Sequence, residues 1–163
     1  GISSDLIELE LTESMLMNDP DKSKKELLAL KDMGFVLAID DFGTGYSSLN
    51  YLKNLPVDIL KIDRSFIQEI EINADDKPIV KGIIALADSL GLTTIAEGVE
   101  NEKQRAIIQE LGCNTIQGYL ISRPLSREEF ERSYLEAFKT RGQSHKNKQR
   151  EKSTSKDPDI SRH

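Results

Sequence analysis

Five short apolar runs, each followed by a stretch with helical features, constrain what this chain can fold into more than any other feature. They occupy residues 6–11, 35–40, 57–62, 92–96 and 115–120. Runs of that length rich in Ile, Leu and Val read as buried strands, and one helix between successive strands is the signature of βαβ units and a parallel sheet. The segments between them carry helix punctuation. Asn18 or Asp19 caps the first helix, with Pro20 in its opening turn and Gly34 at its stop. Leu49 and Leu52 fit a short helix that ends before Pro56, residues 78–90 a longer one closed by Gly91, and Asn101 caps a helix that stops at Gly112. Ser126 with Glu129 forms a capping-box pattern for a last helix through Phe138.

A (β/α)8 barrel and an open doubly wound sheet both satisfy this alternation. A closed barrel takes eight strands and roughly 250 residues, so a barrel built from this chain would lack about three strands at its front.

Composition sets where folding stops. Of 22 basic and 28 acidic residues, seven basic and three acidic fall in residues 140–163, whose one apolar side chain is Ile160. That segment has too little apolar area to offset its ordering entropy and is expected to be a basic, disordered tail. Residues 1–139 keep 15 basic and 25 acidic residues, a net charge of −10. Such a domain repels bulk nucleic acid, and a phosphate ligand would need a cation between it and the carboxylates. The single Cys113 excludes an internal disulfide, and both His145 and His163 lie in the tail, so His or Cys chemistry is nearly excluded from the folded part. No apolar run approaches the roughly 20 residues that span a bilayer, and the domain is read as soluble.

Polar residues collect where the strands end. The first run reaches Glu10, with Glu13 beyond; the second ends in Asp40-Asp41; the third carries Lys61 and Asp63; the fourth is followed by Glu97 and Glu100; the fifth carries Gln117. In parallel α/β folds these ends share one face, where active sites are built. Any one of these charges could simply mark a strand leaving the core. Lys61, between Leu60 and Ile62, and Asp40, directly after Leu37-Ala38-Ile39, fit that reading less well, since ionised groups against a core need partners. Facing carboxylates repel unless something positive lies among them, and Lys61 supplies one charge. An all-oxygen site suits Mg²⁺ or Mn²⁺, and two such ions can activate water for displacement at phosphorus. Metal-dependent phosphoryl hydrolysis leads on residues alone, with metal-assisted enolisation and carbohydrate hydrolysis by a carboxylate pair as competing uses. The loop Phe42-Gly43-Thr44-Gly45 lacks the ending of a nucleotide P-loop and reads as a turn-forming or mobile loop.

Five segments in order carry a resemblance: Glu8-Leu9-Glu10-Leu11-Thr12-Glu13-Ser14; Asp40-Asp41-Phe42-Gly43-Thr44-Gly45-Tyr46-Ser47-Ser48-Leu49; Leu60-Lys61-Ile62-Asp63; Ala96-Glu97-Gly98-Val99-Glu100; and Gln117-Gly118-Tyr119. Over about residues 1–130 the chain resembles the EAL-domain phosphodiesterases, which hydrolyse cyclic di-GMP to pGpG with Mg²⁺ or Mn²⁺ on a (β/α)8-type barrel. The resemblance implies an α/β fold, a partial TIM-type barrel of about five βα units over residues 1–139 with the disordered tail at 140–163. It implies metal-ligand roles for Glu10, Asp40 and Glu97, a place beside the second metal and the attacking water for Asp41, and a water-orienting or water-activating role for Lys61. Gln117 matches a supporting residue, and Glu13 and Glu100 match acids that hold the glycine-bearing loop and the metal face. That loop, with Gly43 and Gly45, resembles one that couples homodimerisation to metal and substrate binding.

The family's Glu-Ala-Leu tripeptide is nowhere in the chain; Glu136-Ala137 is followed by Phe138. The Arg after that tripeptide and the Asn ligand on the next strand are also absent. The chain therefore looks like the C-terminal portion of such a domain, inactive without the N-terminal part of the barrel, the domain itself being cytoplasmic whether or not the parent protein is membrane-anchored upstream. A catalytically inactive, cyclic di-GMP-binding or regulatory module and a non-functional truncated fragment are the alternative readings.

Overall fold

The computed structural model describes residues 1–17, 19–45, 49–73 and 75–135. Five parallel strands lie side by side in chain order: β1 (Glu8–Thr12), β2 (Val36–Phe42), β3 (Ile59–Ile62), β4 (Thr93–Ala96) and β5 (Thr115–Ile116). In a doubly wound sheet the order reverses at a switch point, whereas a barrel adds each strand beside the last. The sequential order thus separates the two architectures in favour of the barrel type.

The helices form where the punctuation puts them. In α2 (Pro20–Asp32) Asp19 accepts the Lys22 N–H at 3.1 Å, and the chain leaves through Gly34 at φ +88°. Asn18, the other candidate cap, lies outside the described residues. Helix α5 (Asp76–Leu90) begins two residues before Pro78, which is tolerated in a first turn because its missing N–H is not needed there. It buries Val80, Ile83, Ile84 and Ala87 and ends on Gly91 in the left-handed conformation. Asn101 caps α6 (Glu102–Glu110), accepting from Lys103 N and Gln104 N. The short α3 (Leu49–Leu52) also forms. Two further helices, α1 (Glu13–Met17) and α4 (Arg64–Gln68), have five residues each, too few to display a 3.6-residue period in sequence.

Strand β5 is the largest departure from expectation, two residues instead of six. After Gln117 the backbone of Gly118 lies against that of Val99, and Ile121 N donates to Gly118 O at 3.0 Å, turning the chain out of the sheet.

The strand period of two divides the sheet into unlike faces. Leu37, Ile39, Leu60, Ile62 and Ala96 are buried on one face and join Leu27, Val80, Ile83, Ile84 and Ile108 of the helices in the core. The opposite face carries Glu8 and Glu10, Ala38 and Asp40, and Ile59 and Lys61. At the N-terminal ends of the strands, Lys31 Nζ contacts both Asp58 oxygens at 2.7 Å, and Asp58 Oδ2 accepts Leu37 N at 2.9 Å.

Residues 124–135 belong to a separate unit and are described by themselves. Ser126 and Glu129 make the capping box of α7 (Arg127–Phe130), and a π-type turn, Glu131–Leu135, follows it, with Phe130 and Tyr134 stacked at 5.4 Å. Residues 136–138 of the expected helix and the expected tail at 140–163 lie outside the described residues. No helix among the described residues is long and apolar enough to cross a membrane.

Candidate active site

Strand register gathers the charged residues. Glu10 pairs with Ala38, Ala38 with Ile59, and Lys61 with Ile95. Two residues further along each strand keeps the face, so Glu10, Asp40, Lys61 and Glu97 share one side of the sheet. Lys61 stands at their centre and is only 2% exposed. Its Nζ lies 2.5 Å from Glu10 Oε1, 2.7 Å from Glu97 Oε1 and 3.2 Å from Asp40 Oδ1. Burial alone would lower its pKa, but the bonds to Glu10, Glu97 and Asp40 outweigh it and hold the ammonium above the usual lysine range. Glu97 is pushed up by burial and by the charges of Asp40 and Glu10, against the opposing pull of Lys61.

Neighbouring residues of a regular strand point to opposite faces, yet Asp40 and Asp41 both reach this site. The register of β2 against β3 shifts between Ile39 and Phe42, and Asp41 sits at φ +53°. A bulge with one residue in the left-handed region re-aims a side chain, and Asp is among the few non-glycine residues that tolerate it. Burial, the Asp40 charge and a hydrogen bond shared with Asp63 raise the Asp41 pKa. Asp63 itself caps α4, accepting from the amide and hydroxyl of Ser65; these bonds outweigh burial and keep its pKa low.

Asp40, Asp41 and Glu97 each offer an oxygen within 4.8 Å of the others. Among the described residues Asp40 Oδ1 is buried without a hydrogen-bond partner, although it ion-pairs with Lys61. Converging carboxylates with an unsatisfied oxygen and no His or Cys fit a hard divalent cation.

The expected supporting residues divide. Glu13 is buried, and neither of its carboxylate oxygens has a hydrogen-bond partner among the described residues. It faces Gly45, where a Cβ would stand 2.7 Å from Glu13 Oε1; at Gly43, φ +100°, a Cβ would stand 2.8 Å from the Phe66 ring. The glycine loop is thus seated on Glu13 and Phe66, while its residues Tyr46, Ser47 and Ser48 lie outside the described residues. Glu100 and Gln117 have exposed side chains and contribute backbone: Glu100 N donates to Gln104 Oε1 at 2.7 Å, and Gln117 exchanges bonds with Ala96 and Val99. Sequence reasoning assigns no role to Gln104, 4% exposed, or to Gly118, which it names only within a segment of the resemblance. For Gln104 a signal existed, the three-residue spacing from Asn101 that marks a helix cap.

Comparison with known proteins places the chain in a family. The family model described as EAL domain matches residues 1–124. Over 137 residues the chain is 49% identical to the cyclic di-GMP phosphodiesterase NbdA of Pseudomonas aeruginosa, covering 82% of this chain and 18% of that protein. The solved PaMucR phosphodiesterase in complex with c-di-GMP superposes with a TM-score of 0.77 at 49% identity, covering 79% of this chain and 52% of that one. The Klebsiella pneumoniae BlrP1 manganese/cy-diGMP complex gives a TM-score of 0.71 at 36% identity, covering 76% and 31%. The chain spans less than a fifth of NbdA and about half of the solved PaMucR chain.

Proposed function

The chain belongs to the EAL domain family, and from that premise we propose that it forms part of a metal-dependent phosphodiesterase that hydrolyses cyclic di-GMP to pGpG. The observation that carries the reading is the buried Lys61 ammonium within 3.2 Å of Glu10, Asp40 and Glu97, with the Asp41 carboxylate beside them.

Glu10, Asp40, Asp41 and Glu97 would hold divalent metal, Mg²⁺ or Mn²⁺. When bound, the ion supplies positive charge that polarises the phosphate and stabilises the charge developing there. The chain's own residues do the rest. Lys61, whose three N–H donors face Glu10, Glu97 and Asp40, contributes its positive charge, which orients a water or a phosphate oxygen in the site. Asp41, whose carboxylate lies beside those of Asp40 and Glu97, is placed to accept a proton from the attacking water. Glu13, through its seat under Gly45, steadies the loop that begins at Asp41.

The same reading includes a cytoplasmic location and a homodimer coupled through the glycine loop. It also requires a barrel portion carrying the Glu-Ala-Leu segment. The test is a chimera of residues 1–163 with the N-terminal part of a solved EAL domain, supplied with Mn²⁺ and assayed for pGpG by chromatography. The expected result is turnover by the chimera, loss in its Lys61→Met and Asp40→Asn variants, and none from the 163-residue chain alone. A folded chimera that makes no product overturns the reading.

A further inference from the structure

Residues 97–100 form neither helix nor strand, yet they carry Glu97 into the site and bury Val99 completely. Backbone bonds hold them on two sides: Glu97 N to Ile62 O at 3.1 Å, Val99 N to Gln117 O at 3.1 Å, and Leu120 N to Val99 O at 3.0 Å. The remaining anchor is a side chain. Gln104 Oε1 accepts Glu100 N at 2.7 Å, while Gln104 Nε2 donates to Gln68 O, at the end of α4, at 3.3 Å. Helix α4 begins immediately after Asp63, two residues beyond Lys61. Its other end meets the same segment, since a Cβ on Gly98 would lie 2.6 Å from Arg64 Cβ.

We propose that Gln104 is a positioning residue of this site, its amide bridging the Glu97–Glu100 segment to α4 and so setting where the Glu97 carboxylate meets Lys61. The inference rests on the metal-site reading above for its functional consequence. An ordinary helix cap does not account for the contacts. In a capping box the third residue of the helix returns an acceptor to the cap residue's own N–H. Here the acceptor reaches one residue further back, to Glu100, and the other half of the amide leaves α6 to donate to α4. An N–H must meet the oxygen and a C=O must meet the NH₂, so these two partners fix the amide's orientation and require glutamine at this position. The cap itself is supplied by Asn101, which accepts from Gln104 N at 3.0 Å.

Substitution separates the cap from the bridge. Gln104→Glu keeps an acceptor at the helix start but sets an oxygen against the Gln68 carbonyl; Gln104→Met fills the space and makes neither bond. Mn²⁺ binding to the 163-residue chain is followed by the loss of the free-ion electron paramagnetic resonance signal, well below the melting temperature of every variant. Both substitutions are expected to weaken binding about tenfold, while Lys31→Met, which breaks the Asp58 pair at the other end of the sheet, leaves it unchanged. Wild-type affinity in Gln104→Glu, or an equal loss in Lys31→Met, overturns the proposal. Amide hydrogen exchange without metal provides an independent measure: in both Gln104 variants Glu97 and Val99 are expected to exchange at least fivefold faster, with α2 unchanged. Acceleration confined to Glu100 means that the bridge does not hold the segment, and overturns the proposal. A wild-type chain that binds no Mn²⁺ overturns the metal reading instead, and exchange still decides the bridge.

Discussion

Lys61 on β3 and Glu97 just beyond β4 face each other at 2.7 Å, and the same ammonium reaches Glu10 of β1, a strand that pairs with neither β3 nor β4. One cation therefore ties together strand ends that the backbone ladder leaves apart. The arrangement explains how a lysine is buried without being neutralised: each carboxylate favours its charged form, and together they offset the cost of removing it from water.

Lys61→Met should destabilise the fold by about 3 kcal/mol in urea unfolding at pH 7, because breaking a buried charge network leaves its partners unpaired. The deficit should narrow as pH falls, because Glu97, which burial and its carboxylate neighbours already push up, takes up a proton more readily once Lys61 is gone. In the wild type the folded pKa of Lys61 lies above its unfolded value, so its stabilisation is complete below about 10.5 and is lost only as pH rises through the higher folded value. Stability between pH 6 and 9 should carry no trace of this group's titration.

Asp41→Gly and Asp41→Ala remove the same carboxylate but differ at the backbone. Asp41 holds φ +53°, where an L-residue costs roughly 1–2 kcal/mol and glycine is at ease. The glycine variant should therefore be about 1 kcal/mol more stable than the alanine variant, while both bind Mn²⁺ more weakly than the wild type. Equal stabilities in urea unfolding would show that the bulge does not hold Asp41 in this conformation.

The division between what was legible in the sequence and what was not follows the range of each interaction. Strand and helix alternation is local, and Asp19, Gly34, Asn101 and Gly91 punctuate it by capping chemistry that works within one turn. The site residues Glu10, Asp40, Lys61 and Glu97 were legible because a period of two and a common strand end place them together once the strands are parallel. Asp41 stands at the strand end and in the family resemblance, but a register shift against β3, which no residue pattern in β2 announces, is what brings it to the same face as Asp40. The six-residue β5 was expected from its apolar run, and what shortens it is the meeting of Gly118 with Val99, a contact between distant parts of the chain. The spacing from Asn101 marks Gln104 as a cap position, but its bridge is hidden for the same reason, since it depends on Gln68, 36 residues away.

Two glycines should respond in opposite directions to alanine. Gly82 lies within α5 with nothing within 4 Å of a new Cβ, so Gly82→Ala should stabilise by about 0.5–1 kcal/mol through helix propensity and a less flexible unfolded chain. At Gly118 a Cβ would fall 2.2 Å from Val99 O, a backbone atom that cannot swing aside. Gly118→Ala should cost about 1–3 kcal/mol, as overpacking does, and loosen the segment that carries Glu97. Chemical unfolding of both variants against the wild type checks the pair.

The capping box at Ser126 offers a titration that isolates one group. Glu129 Oε2 accepts from both the amide and the hydroxyl of Ser126 at 2.9 Å, and these bonds favour the carboxylate, holding its pKa below the usual 4.5. A group whose folded pKa is depressed contributes stability that is present above its unfolded pKa and is lost as pH falls through the folded one. Helical order at α7 should therefore persist at pH 5 and decline only as pH falls below the ordinary glutamate range. Ser126→Ala removes the hydroxyl but leaves the amide, so Glu129 should titrate closer to a free glutamate without reaching it. Carbon-detected NMR of the Glu129 carboxyl, in wild type and variant, reads both shifts directly. A Ser126→Ala chain in which Glu129 titrates as in the wild type would show that the hydroxyl makes no contribution.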